Sequence, residues 1–232
     1  MKLFGAGSLE DIKKCNDLGV SGILTNPQGF DQYFQGKATL EEITQAILAV
    51  SEVPVFIQIH GESVAALVTR ARQLHQLSPR VGFKIVADEK GFRAIRELQM
   101  GKIRCIATCL FTVSQAAIAA TVGAYGICPF ISRARDNGLD PFAIVKTIKE
   151  GYSKLSRSPE IIAVSLKGLA DVETAIAAGA DALGMRYPLI RDMMEHVLTK
   201  NAEVLFARNW ANVKGEDVSY LKADTTTIGV AE

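Results

Sequence analysis

The chain has 232 residues, 48% of them hydrophobic and 22% charged, with 26 Lys and Arg against 25 Asp and Glu. That length and balance fit one soluble domain with a sizeable core and exclude a disordered chain. The near-neutral charge lacks the positive excess of non-specific nucleic-acid binding, so any anion site must be local.

In chain order, short apolar runs predict eight strands, at 3–4, 22–24, 55–59, 81–86, 104–107, 125–128, 161–164 and 182–184. Between them, apolar residues recur at helical spacing. Examples are Leu40, Ile43 and Ile47, then Leu67, Val68, Ala71 and Leu74, then Phe92, Ile95 and Leu98. Ile144 with Ile148, and Val172 with Ala175 and Ile176, continue the series. Strands that are apolar throughout are buried on both faces, as parallel strands covered by helices are. The expected fold class is therefore α/β, a (β/α)8 barrel of the TIM type, with residues 1–232 as a single domain. An open doubly wound sheet fits poorly, because Gly5-Ala6-Gly7-Ser8 lacks the third glycine and the later acidic partner of a dinucleotide loop.

After the eighth unit, residues 201–232 read as a C-terminal helix carrying Val204, Leu205, Phe206 and Trp210, followed by a polar tail. Two readings stand level: the helix packs on its own barrel, or it docks on a neighbouring subunit of a homo-oligomer. No apolar run is long enough for a bilayer, and Met1-Lys2-Leu3-Phe4-Gly5 lacks a signal-peptide layout, so a cytoplasmic protein without membrane or nucleic-acid partners is expected. Cys15, Cys105, Cys109 and Cys128 show no CxxC pairing and read as reduced, mostly packed thiols, with no metal site.

In such a barrel the residues at the carboxyl ends of the strands face the active site. The polar ones are Thr25 and Asn26 after the second strand, Gln58 and His60 at the third, and Lys84 within the fourth. Thr108 follows the fifth, Arg133 the sixth, Ser165 and Lys167 the seventh, and Arg186 the eighth. Lys84 lies between Phe83 and Ile85. Burial there would lower its pKa and free its amine to attack a carbonyl. Taken locally, an amine that escapes to solvent or to an ion pair is an equal reading. For Arg133 alone, a surface ion pair with Asp136 or Asp140 is the better one.

Together, the blocks Thr25-Asn26-Pro27, Phe56-Ile57-Gln58, Phe83-Lys84-Ile85-Val86, Pro129-Phe130-Ile131-Ser132-Arg133 and Ala163-Val164-Ser165-Leu166-Lys167 resemble, in order and spacing, the small transaldolase and fructose 6-phosphate aldolase family. The resemblance implies Lys84 as the Schiff-base lysine and Asn26, beside Thr25, as holder of the donor hydroxyls. It also implies Arg133, Ser165 and Lys167 as the terminal-phosphate group, and Gln58 and Thr108 as orienters of the catalytic water. No cofactor is implied, and the partners would be anionic ketoses and aldehydes.

Three departures matter. The family's first-strand aspartate aligns with Ala6, leaving His60, Asp88 or Glu89 as candidate substitutes for its acid–base role. Phe130 stands where the aldolases carry tyrosine, which favours transfer over release of free dihydroxyacetone. Arg186 adds a cation at the mouth, suited to a phosphate or a sulfonate, unless it pairs with Asp181 or Glu195. The expected function is thus a class I transaldolase. Its alternatives are a 6-deoxy-6-sulfofructose transaldolase, a fructose 6-phosphate aldolase, and an inactive sugar-phosphate-binding barrel.

Overall fold

The computed structural model describes residues 1–214 and 217. Its strands are β1 (Lys2–Ala6), β2 (Gly22–Leu24), β3 (Val55–Gln58), β4 (Val81–Val86), β5 (Cys105–Leu110), β6 (Gly126–Pro129), β7 (Glu160–Ala163) and β8 (Ala182–Arg186). They pair in parallel in sequence order, and β8 returns to β1 to close the barrel. The helices are α1 (Leu9–Asp17), α2 (Pro27–Phe34), α3 (Leu40–Val50), α4 (Val64–His75), α5 (Glu89–Met100) and α6 (Val113–Thr121). α7 (Ile131–Asp136), α8 (Pro141–Tyr152), α9 (Leu169–Ala177), α10 (Tyr187–Met194) and α11 (Val197–Trp210) complete the order.

Each junction is marked by local chemistry. Ser8, Thr39 and Thr112 open α1, α3 and α6 with reciprocal capping boxes to Asp11, Glu42 and Gln115. Asn26, Ser63 and Asp88 cap α2, α4 and α5 with single side-chain acceptors. Strand register aligns Phe4, Leu24, Phe56, Ile106, Cys128, Ile162 and Ala182 on the inward face, where with Val164 they form one buried cluster. Bulk alternates with absence: a Cβ on Gly22 would stand 2.8 Å from the Phe4 ring, and one on Gly184 would stand 2.6 Å from Leu24 Cδ1. Gly82 is equally tight, its notional Cβ lying 2.8 Å from the Phe56 ring and 2.7 Å from the Arg104 carbonyl oxygen. In one layer β1, β3, β5 and β7 supply Phe4, Phe56, Ile106 and Ile162 and the even strands supply glycines, while Leu24 of β2 reaches over Gly184 from the next layer. The opposite end is closed by a Lys2–Glu160 ion pair at 2.7 Å and by the Arg104 guanidinium beside the Phe56 and Tyr125 rings.

Several boundaries differ from expectation. β3 stops at Gln58, so His60 lies in the following loop. β5 runs on to Leu110, which places Thr108 inside the strand, and its pairing with β6 slips by one residue between Ala107 and Leu110. At this bulge Cys109 adopts a positive φ of 58°. α2, absent from the expected helices, is opened by the Asn26 cap and Pro27, and its apolar residues Phe30, Tyr33 and Phe34 are only half-buried. The described residues from Arg191 onward form a compact unit separate from Met1–Ile190. Within it α11 begins at Val197, ahead of the expected 201, and exposes Leu198, Leu205, Phe206 and Trp210. The expected tail beyond 214 lies, residue 217 aside, outside the described residues.

Gly82→Ala should lower stability by about 1–3 kcal/mol, the usual cost of overpacking a filled interior. Urea unfolding followed by circular dichroism would measure it. Adding Phe56→Leu should recover part of that loss, and no recovery would show that the clash is with the Arg104 carbonyl alone.

Candidate active site

The inward positions at the carboxyl end of the barrel hold Gln58, Lys84, Thr108 and Arg186, each in step with the buried cluster beneath. Lys84 is only 4% exposed. Its Nζ donates to the Thr25 carbonyl at 2.9 Å, and no carboxylate is paired with it among the described residues. Burial is the main cause that pushes its pKa down, opposed by the neighbouring thiols of Cys128 and Cys109. The amine therefore does not escape to solvent, and the ion-pair reading has no partner.

Thr25 is the joint on which this arrangement turns. Its hydroxyl donates to the Phe56 carbonyl at 3.3 Å and accepts the Gln58 N–H at 2.8 Å, fastening the end of β2 to β3. Its own carbonyl is thereby aimed at Lys84. The adjacent Asn26 accepts the Gly29 N–H at 2.7 Å as the cap of α2, leaving its amide donors unengaged among the described residues. Thr108 Oγ1 is buried and makes no well-formed hydrogen bond. Its polar neighbour is the thiol of Cys128, which burial pushes up to about 11. A hydroxyl kept dry and unsatisfied in a packed barrel is costly unless something else completes it.

On the β6–β7 side, the Ser132 and Ser165 hydroxyls share a hydrogen bond of 3.0 Å, and the Ser132 N–H donates to the Ser165 carbonyl at 2.9 Å. Ser165 has a positive φ of 60°. The Arg133 guanidinium lies 5.2 Å from the Phe130 ring centroid, which in turn packs edge-on to Phe111. Among the described residues Arg133 has no acidic partner. Asp136 is taken instead by Lys167 at 2.6 Å and by Arg135, which also pairs with Asp171. Lys167 is thus drawn into a surface network, while Arg133 keeps an uncompensated charge. Ser132, which sequence reasoning passed over, is fully buried, and only its position beside Arg133 hinted at a part in the site.

The remaining candidates scatter. His60 is exposed and borders, with Gln58 and Val86, a cleft of about 410 Å³. Asp88 is occupied as the cap of α5, accepting the Gly91 N–H at 2.7 Å. Glu89 is turned to Arg93 at 3.7 Å and 89% exposed. Neither carboxylate stands in for one at position 6. Asp181 is paired with Lys149 and Glu195 with Lys200, so neither meets Arg186, whose guanidinium lies 6.0 Å from the Tyr33 ring centroid.

Comparison with known proteins covers nearly the whole chain. Residues 6–229 match the family profile described as transaldolase/fructose-6-phosphate aldolase. A probable transaldolase of Streptococcus equi subsp. zooepidemicus is 31% identical over 216 residues, 92% of this chain and 100% of that protein. A probable transaldolase 2 of Listeria monocytogenes is 32% identical over 212 residues, covering 90% and 96%. In fold, a thiamine phosphate pyrophosphorylase from Pyrococcus furiosus superposes with a TM-score of 0.54 at 13% identity, over 79% of this chain and 84% of that one.

The Lys84 burial carries a pH signature. Its pKa is depressed in the folded chain, so below the ordinary value of 10.5 the unfolded chain binds more protons and stability rises with pH. Lys84→Met should therefore raise the thermal unfolding midpoint at neutral pH, and its advantage over the wild type should shrink as pH approaches 10.5. An advantage independent of pH would mean that the amine is not desolvated.

Proposed function

This chain belongs to the transaldolase/fructose-6-phosphate aldolase family, and we propose that it acts as a class I transaldolase with Lys84 as its covalent nucleophile. The single observation that carries this reading is an amine buried without a counter-ion at the carboxyl end of a closed barrel. Desolvation favours the neutral, nucleophilic form.

In this reading the Lys84 amine adds to the C2 carbonyl of a ketose, and loss of water gives an iminium. A proton leaves the C4 hydroxyl, the C3–C4 bond breaks, and its electron pair flows to the iminium nitrogen. The first aldehyde departs. The three-carbon enamine left on Lys84 attacks an acceptor aldehyde, and hydrolysis of the new iminium frees the enzyme. Asn26 and Thr25 hold the donor end, the free amide donors of Asn26 serving its hydroxyls.

Gln58 and Thr108 orient the water of the dehydration and hydrolysis steps, a role supported by the unsatisfied Thr108 hydroxyl. That water also receives the C4 proton, because position 6 offers no carboxylate. Arg133 and Ser165, with Ser132 behind them, receive the terminal phosphate or sulfonate. Lys167 contributes charge from the rim when it leaves Asp136. Phe130 brings no hydroxyl to activate water, which favours passing the enamine to an acceptor over releasing dihydroxyacetone.

Borohydride reduction with fructose 6-phosphate, or with 6-deoxy-6-sulfofructose, should leave a reduced three-carbon adduct on the wild type and none on Lys84→Met by intact-protein mass spectrometry. The sugar that traps at lower concentration identifies the terminal anion. Absence of an adduct with both would remove the covalent reading in favour of a binding barrel.

The exposed apolar residues of α11 support a second proposal, that this helix docks on another copy of the chain. Phe206→Glu with Trp210→Glu should lower the mass seen by light scattering. An unchanged mass would place the subunit contact elsewhere.

A further inference from the structure

We propose that Arg186 and Ala6 form a second anion subsite, at the three-carbon end of the substrate, so that the ketose cleaved here carries an acidic group at both ends. This inference rests on Lys84 being the covalent nucleophile.

Ala6 and Arg186 are register partners across the seam where β8 closes on β1. Both continue the inward face, Ala6 two residues beyond Phe4 and Arg186 two beyond Gly184, whose notional Cβ meets Leu24 and Val164. Arg186 borders a small cavity with Ala6, Thr25, Asn26 and Tyr33. The Thr25 carbonyl is the acceptor for Lys84 Nζ, and Thr25 also lines the cavity that Arg186 borders, so both cations are tied to one short segment. In this proposal a three-carbon unit bound to Lys84 through its central carbon extends its outer carbon towards the Arg186 side of the mouth.

Charge decides what such a unit should carry. Asp181 is engaged by Lys149 and by the Ile161 N–H at 3.0 Å, Asp11 by the Ser8 N–H at 3.0 Å, and Asp192 by Arg191. Among the described residues Arg186 has no acidic partner. An aspartate at position 6 would face it across the seam and cancel its charge. Alanine leaves that charge to a ligand carboxylate, phosphate or sulfonate, which a planar guanidinium grips with two parallel hydrogen bonds.

Arg133 cannot serve the same group in this arrangement. It stands on α7 beyond β6, with β7 and its Ser165 loop between it and β8. Two uncompensated cations on separate sides of the mouth fit two anions on one substrate better than one anion held twice. A hydroxyl at the donor end, by contrast, would leave Arg186 without a charge to neutralise.

The donor unit alone isolates this end of the site. Reductive trapping on Lys84 would be titrated with dihydroxyacetone, dihydroxyacetone phosphate and hydroxypyruvate, read by intact mass. In the wild type the acidic compounds should half-saturate at concentrations about tenfold to a hundredfold lower than dihydroxyacetone, the usual reach of one charge-assisted contact. Whichever of the two acids traps better distinguishes phosphate from carboxylate. Arg186→Gln should abolish the preference, Arg186→Lys should restore part of it, and Ala6→Asp, which leaves the arginine in place but supplies a counter-charge, should abolish it again.

Trapping of dihydroxyacetone as readily as its acidic analogues, or a preference untouched by all three substitutions, would overturn the subsite while leaving Lys84 in its role. Failure of every compound to trap, with fructose 6-phosphate also failing, would instead overturn the covalent reading and this one with it.

Discussion

Everything in this molecule that bears on chemistry depends on keeping one amine dry. An ammonium ion is among the costliest groups to bury, and Lys84 is buried with a backbone carbonyl and two neighbouring thiols for polar company. The barrel eases that cost by pushing the pKa of the amine down, towards its neutral form. The carbonyl that receives Lys84 comes from Thr25, and Thr25 is fixed by the β3 backbone at Phe56 and Gln58. Three neighbouring strands therefore collaborate to aim a single nitrogen, and the packed rings of Phe4 and Phe56 beneath keep water from reaching it from below.

The mouth above is unusual in its electrostatics. It presents Lys84, Arg133 and Arg186, none of them paired with a carboxylate among the described residues, whereas Asp88, Glu89 and Asp136 are spent on a helix cap or surface pairs. Position 6, on the first strand, is alanine and offers no carboxylate to the mouth. In the proposed reaction the rate rests on how well the remaining groups position water and substrate, and on the attraction of uncompensated cations for anions.

Much of this was legible in the sequence, for a physical reason. Strands buried on both faces read as uninterrupted apolar runs, so all eight could be located, and a lysine interrupting one of them was conspicuous. What was not legible depended on geometry between strands. The end of β5 was misjudged because Thr108, Cys109 and Leu110 continue through a one-residue slip that no local pattern announces. α2 and α7 are short, eight and six residues, which leaves little length for a periodic stripe, and the apolar side chains of α2 are only half-buried. The fate of Lys167 was equally hidden: its partner Asp136 lies 31 residues away and is brought to it only by the turn of the barrel. For Arg133 the same closure worked the other way, removing the partners that the neighbouring sequence seemed to offer.

The glycines that face Phe4, Phe56 and Leu24 have a consequence for how such a protein can diversify. They give the chamber a solid floor one layer below Lys84, so a substrate cannot be accommodated more deeply by trimming a side chain there without opening a void in the core. New specificity has to come from the rim, where Ala6, Phe130 and Arg186 sit at strand ends or just beyond them. A lineage can therefore exchange charges around the opening while the foundation under the lysine stays unaltered.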